Sequence, residues 1–232
     1  MKLGIGICAR NEEAGIISAV TSVVSSVQSV AYPLDWELVV CANGCIDRTA
    51  DLVRNWLSAN RGLPVSLVLL DTANLVEAQR AIATSLKERH ADMLAFFDAD
   101  VMVDADCIPS LVRVASADAV KAVYATSVPI RNARPTTIET ALNQYDSSDT
   151  IFATRRHLHG RAFLIKEWSI PATAPPLLAD DIYLSCDLLY RFGPHAIAAS
   201  PEARVYFHQI SSIADFYKAY KRRTTELDKC FR

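Results

Sequence analysis

The sequence predicts an α/β protein in which a mostly parallel, Rossmann-like sheet is flanked by helices on both faces. Three observations carry this expectation. Short apolar runs alternate four times with segments of helical periodicity, the pattern of consecutive strand and helix units. Each run ends in turn-like or acidic residues, and in such sheets the ligand crevice lies at the carboxyl ends of the strands. No repeat or low-complexity linker interrupts the chain, so residues 1–232 are expected to form a single domain.

Strands are expected at residues 3–8, 37–41, 65–70 and 93–97, with helices at 12–30, 47–59, 76–90 and 106–116. In the first helix Ile16, Ile17, Val20, Val23, Val24 and Val27 recur at helical spacing, which gives one face to pack on the sheet. Residues 14–34 carry no charge and approach the roughly 20 residues that span a bilayer. Ser18, Thr21, Ser22, Ser25, Ser26, Gln28 and Ser29 make the stretch too polar for a membrane span.

Farther on, 119–128 reads as a strand, 136–154 as a helix and 158–165 as a strand. Pro171, Pro175 and Pro176 make 169–178 an irregular loop, because proline lacks the amide a helix or strand needs. A helix at 180–190, a short strand at 203–207 and an amphipathic basic helix at 212–229 complete the chain.

A chain of 232 residues can bury about 70% or more of its unfolded surface without staples. With 51% hydrophobic and 22% charged residues, the composition is that of an ordinary globular protein. A formal net charge of −2 gives no general electrostatic case for binding nucleic acid. Cys8, Cys41, Cys45, Cys107, Cys186 and Cys230 are scattered and form no CxxC pair, which suits reduced thiols. The first residues lack a secretory pattern, so a cytoplasmic location is expected.

Phe96-Phe97-Asp98-Ala99-Asp100 is the segment richest in chemistry. Two carboxylates spaced i, i+2 at a strand end point to the same side and can share one cation. Oxygen ligands suit Mg²⁺ or Mn²⁺, which complete their shells with water and phosphate oxygens. Asp104 and Asp106 share that spacing, but Asp106 precedes Cys107-Ile108-Pro109 and reads as a helix N-cap. A calcium loop starting at Asp98 fails, since Met102 and Val103 stand where a ligand and the glycine are required. A pair of turn acids without a metal is the alternative reading of Asp98 and Asp100.

The chain resembles the family-2 glycosyltransferases of the GT-A fold over most of its length. Ala9-Arg10-Asn11-Glu12-Glu13 looks like the family's N-E turn beside the nucleotide. Residues 40–49, which include Ala42, Asn43, Gly44, Asp47 and Thr49, resemble its D-D-G-S-x-D-x-T loop. Asp98-Ala99-Asp100 falls at its D-x-D, and Asp180-Asp181 looks like its E-D motif. Ala42 and Asn43 replace two aspartates, and Asp180 replaces the glutamate. Gly44 and Asp47 serve equally well as a turn residue and a helix cap.

The resemblance implies residues 1–117 as a donor half and 118–232 as an acceptor half with a C-terminal helix. It implies inverting, metal-assisted transfer from a nucleoside-diphosphate sugar, with a UDP-sugar favoured, to the hydroxyl of an unknown acceptor. Ala9, Asn11, Glu12, Asn43 and Asp98 would meet the donor, and Asp98, Asp100 and His208 would hold Mn²⁺ or Mg²⁺. Asp181 would be the general base, with Asp180 orienting it; both acids could instead merely cap a helix. His159, Gly160 and Arg161 would line the acceptor side.

On the last helix, Phe216, Tyr217 and Tyr220 alternate with Lys218, Lys221, Arg222 and Arg223. The aromatic residues are expected to dock the helix on the domain, so that Arg222 or Arg223 reaches the leaving diphosphate. Peripheral contact with an anionic lipid is a further use of these cations. The alternatives are a nucleotidyltransferase, which lacks support because residues 8–12 form no glycine-rich phosphate loop, and a nucleotide-sugar-binding protein without turnover.

Overall fold

The computed structural model describes residues 1–146, 157–170 and 180–230. The first half holds β1 (Lys2–Ala9), α1 (Ile16–Gln28), β2 (Asp35–Asn43), α2 (Thr49–Ala59), β3 (Val65–Leu70) and α3 (Leu75–Glu88). It continues with β4 (Met93–Asp98), β5 (Val101–Val103) and α4 (Cys107–Ala115). The second half holds β6 (Ala122–Ile130), α5 (Thr137–Asp146), β7 (Ala162–Ile165), α6 (Asp180–Phe192), β8 (Ile197–His208) and α7 (Ile213–Cys230).

These strands form one sheet in the order β3-β2-β1-β4-β7-β6-β8-β5. β3, β2, β1 and β4 run parallel, as the four strand and helix units require. β7 is antiparallel to both β4 and β6, and the edge strand β5 is antiparallel to β8.

Alternation along β2 divides the core between the two faces of the sheet. Leu38 and Val40 join α1, α2 and α4 on one face, and Val39 and Cys41 join α3 and α6 on the other. On β1 the second face carries glycine. A Cβ on Gly6 would come within 2.6 Å of Ile82 Cγ2, so α3 can pack only because that side chain is missing.

The serines that exclude a membrane span in α1 bind its neighbours. Ser22 Oγ accepts from Val103 N at 3.0 Å, and buried Ser26 donates to Ala105 O and accepts from Ile108 N, both at 3.0 Å. Among the described residues no helix is long and apolar enough to cross a membrane.

Several expected boundaries differ. α1 starts at Ile16, not residue 12, because Asn11 adopts φ 56° and residues 12–15 form a turn closed on Glu12 O. β5 was not expected; its three residues show too little periodicity to separate from a turn. β8 is longer than expected, because its first part pairs with Ala122–Ala125 and its second with Thr126–Ile130 across an irregularity. Leu158 is buried but precedes β7 in a loop. Part of the expected helix at 136–154 and most of the expected loop at 169–178 lie outside the described residues.

Candidate active site

Two loops at the carboxyl ends of β1 and β2 brace one another. Asn11 Oδ1 accepts from Ile46 N at 2.8 Å, Glu12 N donates to Thr49 Oγ1 at 2.8 Å, and Glu13 N donates to Asp47 Oδ2 at 3.0 Å. Asp47 also accepts from Thr49 N and Oγ1, which holds its carboxyl below the usual range. Ala9 is fully buried and meets this region through its carbonyl, which accepts from Cys45 Sγ at 3.3 Å. Its side chain therefore faces the core.

Asn43 is the buried last residue of β2. Its Oδ1 accepts from Asn74 N at 2.7 Å, and Asn74 in turn caps α3 by accepting from Glu77 N at 3.2 Å. Gly44 follows with φ 60°, and a Cβ there would lie 2.5 Å from Ala73 N. Asn43 and Gly44 thus seat the start of α3 against the β2 end. A signal for Asn43's bond exists in the sequence only as a polar residue closing an apolar run.

Asp98 ends β4, and Asp100 stands just before β5. Asp98 N donates to Arg161 O at 2.9 Å, which anchors the strand end to the segment leading into β7. Burial, and then the charge of Asp100, push the Asp98 carboxyl up to about 8; Arg161 opposes the shift, and Asp180 and Asp181 add to it. Glu12 is pushed up by burial first and then by Asp100 and Asp47. Four acids from three distant parts of the chain therefore surround Asp98 or Asp100. Cys8 lies in the same place: burial, then Cys41, Asp180 and Asp98, raise its thiol well above the usual value.

Asp104 behaves differently from this group, since it accepts from Tyr206 OH at 3.0 Å and its carbonyl accepts from Cys107 N. Asp106 occupies the N-cap position of α4 but makes no side-chain capping bond.

Asp180 and Asp181 open α6. Asp180 is buried and accepts from Gln79 Nε2 at 2.5 Å. Asp181 Oδ1 accepts from Ile182 N at 2.9 Å, and a Cβ on Gly160 would come within 3.3 Å of Asp181 Oδ2. Ser185 Oγ couples the two segments by donating to Asp181 O at 2.5 Å and accepting from Leu158 N at 2.8 Å. His159 lies between Ser127 Oγ and Arg161 Nη1, 3.4 Å from each, and the Arg161 guanidinium stacks 3.6 Å over the Phe207 ring. His159, Gly160 and Arg161 are thus gathered beside Asp98 and Asp181. Gln79 was missed in the sequence, where one glutamine within a helical pattern carries no mark.

His208 is exposed at the end of β8. Val101 pairs with Phe207, so Asp100 and His208 each stand one residue beyond that pair. Among the described residues, no three His, Cys, Asp or Glu side chains form a group able to hold a metal by themselves. On α7, Phe216, Tyr217 and Tyr220 are 42%, 63% and 60% exposed, so the aromatic face does not dock as expected. Arg222 is exposed, and Arg223 is its neighbour on the same helix. An open cavity of about 990 Å³ lined by Met1, Tyr32, Met93, Arg113 and Lys166 lies by the amino ends of β1 and β4, away from these groups.

Comparison with solved structures gives the same architecture. A mannosyltransferase from Pyrobaculum calidifontis, solved with GDP-Man and Mn²⁺, superposes with a TM-score of 0.71 at 18% identity, over 99% of this chain and 62% of that one. Glucosyl-3-phosphoglycerate synthase from Mycobacterium tuberculosis, solved with Mn²⁺, UDP-Glc and phosphoglyceric acid, gives 0.63 at 22% identity, over 99% and 79%. TarS from S. aureus gives 0.59 at 15% identity, over 97% and 65%. The chain thus spans less than two thirds of the first and third of these proteins, and the likeness establishes the fold. No curated protein matches the sequence. The profile of glycosyl transferase family 2 matches residues 5–167, well over half the chain. The sheet, its acidic crevice and this match agree: the chain belongs to glycosyltransferase family 2 and has the GT-A fold.

Proposed function

We propose that the protein transfers a sugar from a nucleoside-diphosphate sugar to an acceptor hydroxyl by single displacement, with inversion at the anomeric carbon. The observation that carries this reading is the convergence of Asp98 and Asp100 with Asp180 and Asp181 across Arg161 and Gly160.

Asp98 and Asp100 suit a divalent cation. Burial, and then the charge of Asp100, make Asp98 costly to ionise, and a cation would relieve that cost. Carboxylate oxygens suit Mg²⁺ or Mn²⁺, whose remaining positions go to water and phosphate oxygens. Bound there, the ion would neutralise the diphosphate as it leaves. His208 is the candidate third ligand.

Asp181 is assigned the acceptor's proton. Inverting transfer needs a carboxylate on the face opposite the leaving group, and Asp181 stands in the first turn of α6 against Gly160. Asp180 orients it. His159, Gly160 and Arg161, bound to α6 through Ser185, would form the acceptor wall.

The donor's base and ribose are assigned to the Ala9 backbone, Asn11, Glu12 and Asn43, with a UDP-sugar favoured. Asn43 would use its amide group, because its oxygen already holds Asn74. Arg222 and Arg223 are assigned to the diphosphate, which requires α7 to close on the donor. The complexes of the two relatives, one with GDP-Man and one with UDP-Glc, support a nucleoside-diphosphate sugar as the donor class.

A thermal-shift screen of UDP- and GDP-sugars, each with and without Mn²⁺, tests the reading. Selective, Mn²⁺-dependent stabilisation by one nucleotide is expected. Absence of stabilisation by every nucleotide sugar would sink it, and binding without release of UDP or GDP would leave a non-catalytic binding protein.

A further inference from the structure

We propose that Gln79 is a positioning residue for transfer, holding the first turn of α6 so that Asp181 stays against Gly160. The proposal rests on the reading of Asp181 as the base.

Gln79 stands on the buried face of α3, among Val76, Ile82, Ala83 and Leu86, where an apolar residue would pack without penalty. It is only 4% exposed. A buried amide costs stability unless its polar atoms are bonded. Gln79 Nε2 donates to Asp180 Oδ2 at 2.5 Å, across 101 residues of sequence, and Asp180 is itself only 8% exposed. Gln79 Oε1 is buried with no hydrogen-bond partner among the described residues. Among the described residues the amide is thus bonded at one end only, and that end is the one that meets the carboxylate.

A carboxylate oxygen accepts hydrogen bonds, and the amide nitrogen of Gln79 is the end that donates to it. Asp180 in turn stands near Asp98. Gln79 supplies a donor from α3, the helix seated on β1 beneath the site, and thereby ties Asp180 to that helix. Asp181 is the next residue. Its Oδ2 lies close to Gly160, so a small rotation of this turn moves the base relative to the acceptor wall. Leu184 and Leu188 anchor α6 in the core with Tyr183 packed beside them, while the first two residues of the helix are held by polar contacts to Gln79 and Ser185. Misplacement of a reacting group by about 1 Å can cost about 100-fold in rate.

The test uses the full chain and two substitutions of nearly equal volume, Gln79→Met, which removes the donor, and Gln79→Glu, which opposes a carboxylate to Asp180. In Gln79→Met, amide exchange at Ile182 and Tyr183 should quicken about tenfold or more, while exchange in β1 and β4 stays as in the parent. UDP affinity with Mn²⁺ should change by less than about twofold, and kcat for UDP-glucose turnover should fall about tenfold at an unchanged KM. Gln79→Glu should lose at least as much. Unchanged exchange at Ile182 and Tyr183 would overturn the proposal, as would equal losses of UDP affinity and kcat, the signature of general loosening. If Gln79→Met does not fold, Gln79→Asn keeps the donor on a shorter arm and should show the same split to a smaller degree. If the parent does not turn over UDP-glucose, the choice of sugar is at fault, and the exchange measurement still decides the role of Gln79.

Discussion

Gly160 and Asp181 approach so closely that a methyl group on Gly160 would come within 3.3 Å of Asp181 Oδ2. Such a contact is tighter than side chains normally accept, so the carboxylate would shift by a few tenths of an ångström. Gly160→Ala is therefore expected to lower transfer by about 3- to 10-fold with little change in Tm. Steady-state kinetics with melting curves checks this, and unaltered kcat would separate Gly160 from the chemistry.

Asp181→Asn keeps the size of the side chain and removes the base. Transfer should fall by at least about 100-fold, the scale of general-base catalysis, with nucleotide binding nearly intact. Asp180→Asn should lose less in transfer. It can still accept from Gln79 Nε2 through its amide oxygen, at the reduced strength of a neutral acceptor. Near-normal turnover in Asp181→Asn would remove this residue from the mechanism.

Asp98 gives the site a defined pH response. Its folded-state carboxyl, at about 8, lies above the ordinary value of 3.8, so the stability it contributes is present below the unfolded value. That contribution is lost as pH rises through about 8. The metal-free protein should therefore lose more thermal stability towards alkaline pH than Asp98→Asn does. Because binding of a cation must displace the proton, Mn²⁺ should raise Tm more at pH ~8.5 than at pH ~6.5 in the parent chain. In Asp98→Ala and Asp100→Ala the Mn²⁺-dependent gain in UDP affinity should vanish, and its survival in both would end the metal assignment.

Asn43→Ala would strip the acceptor from Asn74 N in a part-buried corner. The loss should be about 1 kcal/mol of stability, the net worth of one hydrogen bond. Denaturant unfolding measures it. A loss of UDP affinity in the same variant, beyond what unfolding explains, would add a direct nucleotide contact.

Removal of residues from Ser212 onward should change Tm by no more than about 2 °C, because Ile213, Phe216, Tyr217 and Tyr220 are exposed rather than packed on the core. If α7 closes on the donor during the reaction, kcat for transfer falls in the truncated chain while the free protein's stability does not. A large fall in Tm would mean that the helix packs in solution after all.

What the sequence by itself determined is the part of the protein governed by short-range rules. The four strand and helix units of the first half follow from apolar periodicity, and Asp98 and Asp100 stood out as carboxylates spaced i, i+2 at the end of an apolar run, although β4 ends at Asp98 and Asp100 lies in the turn beyond it. The E-D and N-E turns were visible as motifs, in order along the chain. Only the tertiary structure decided how these pieces meet. The antiparallel insertion of β7 between β4 and β6 brings Arg161 and Gly160 to Asp98 and Asp181, and no local pattern announces a strand's partner. The bond from Gln79 to Asp180 spans 101 residues, and Asn43 turned out to seat α3. The exposed face of α7 ran against its amphipathic pattern, since periodicity reports which face could be buried, whereas burial itself depends on what the rest of the chain brings against it.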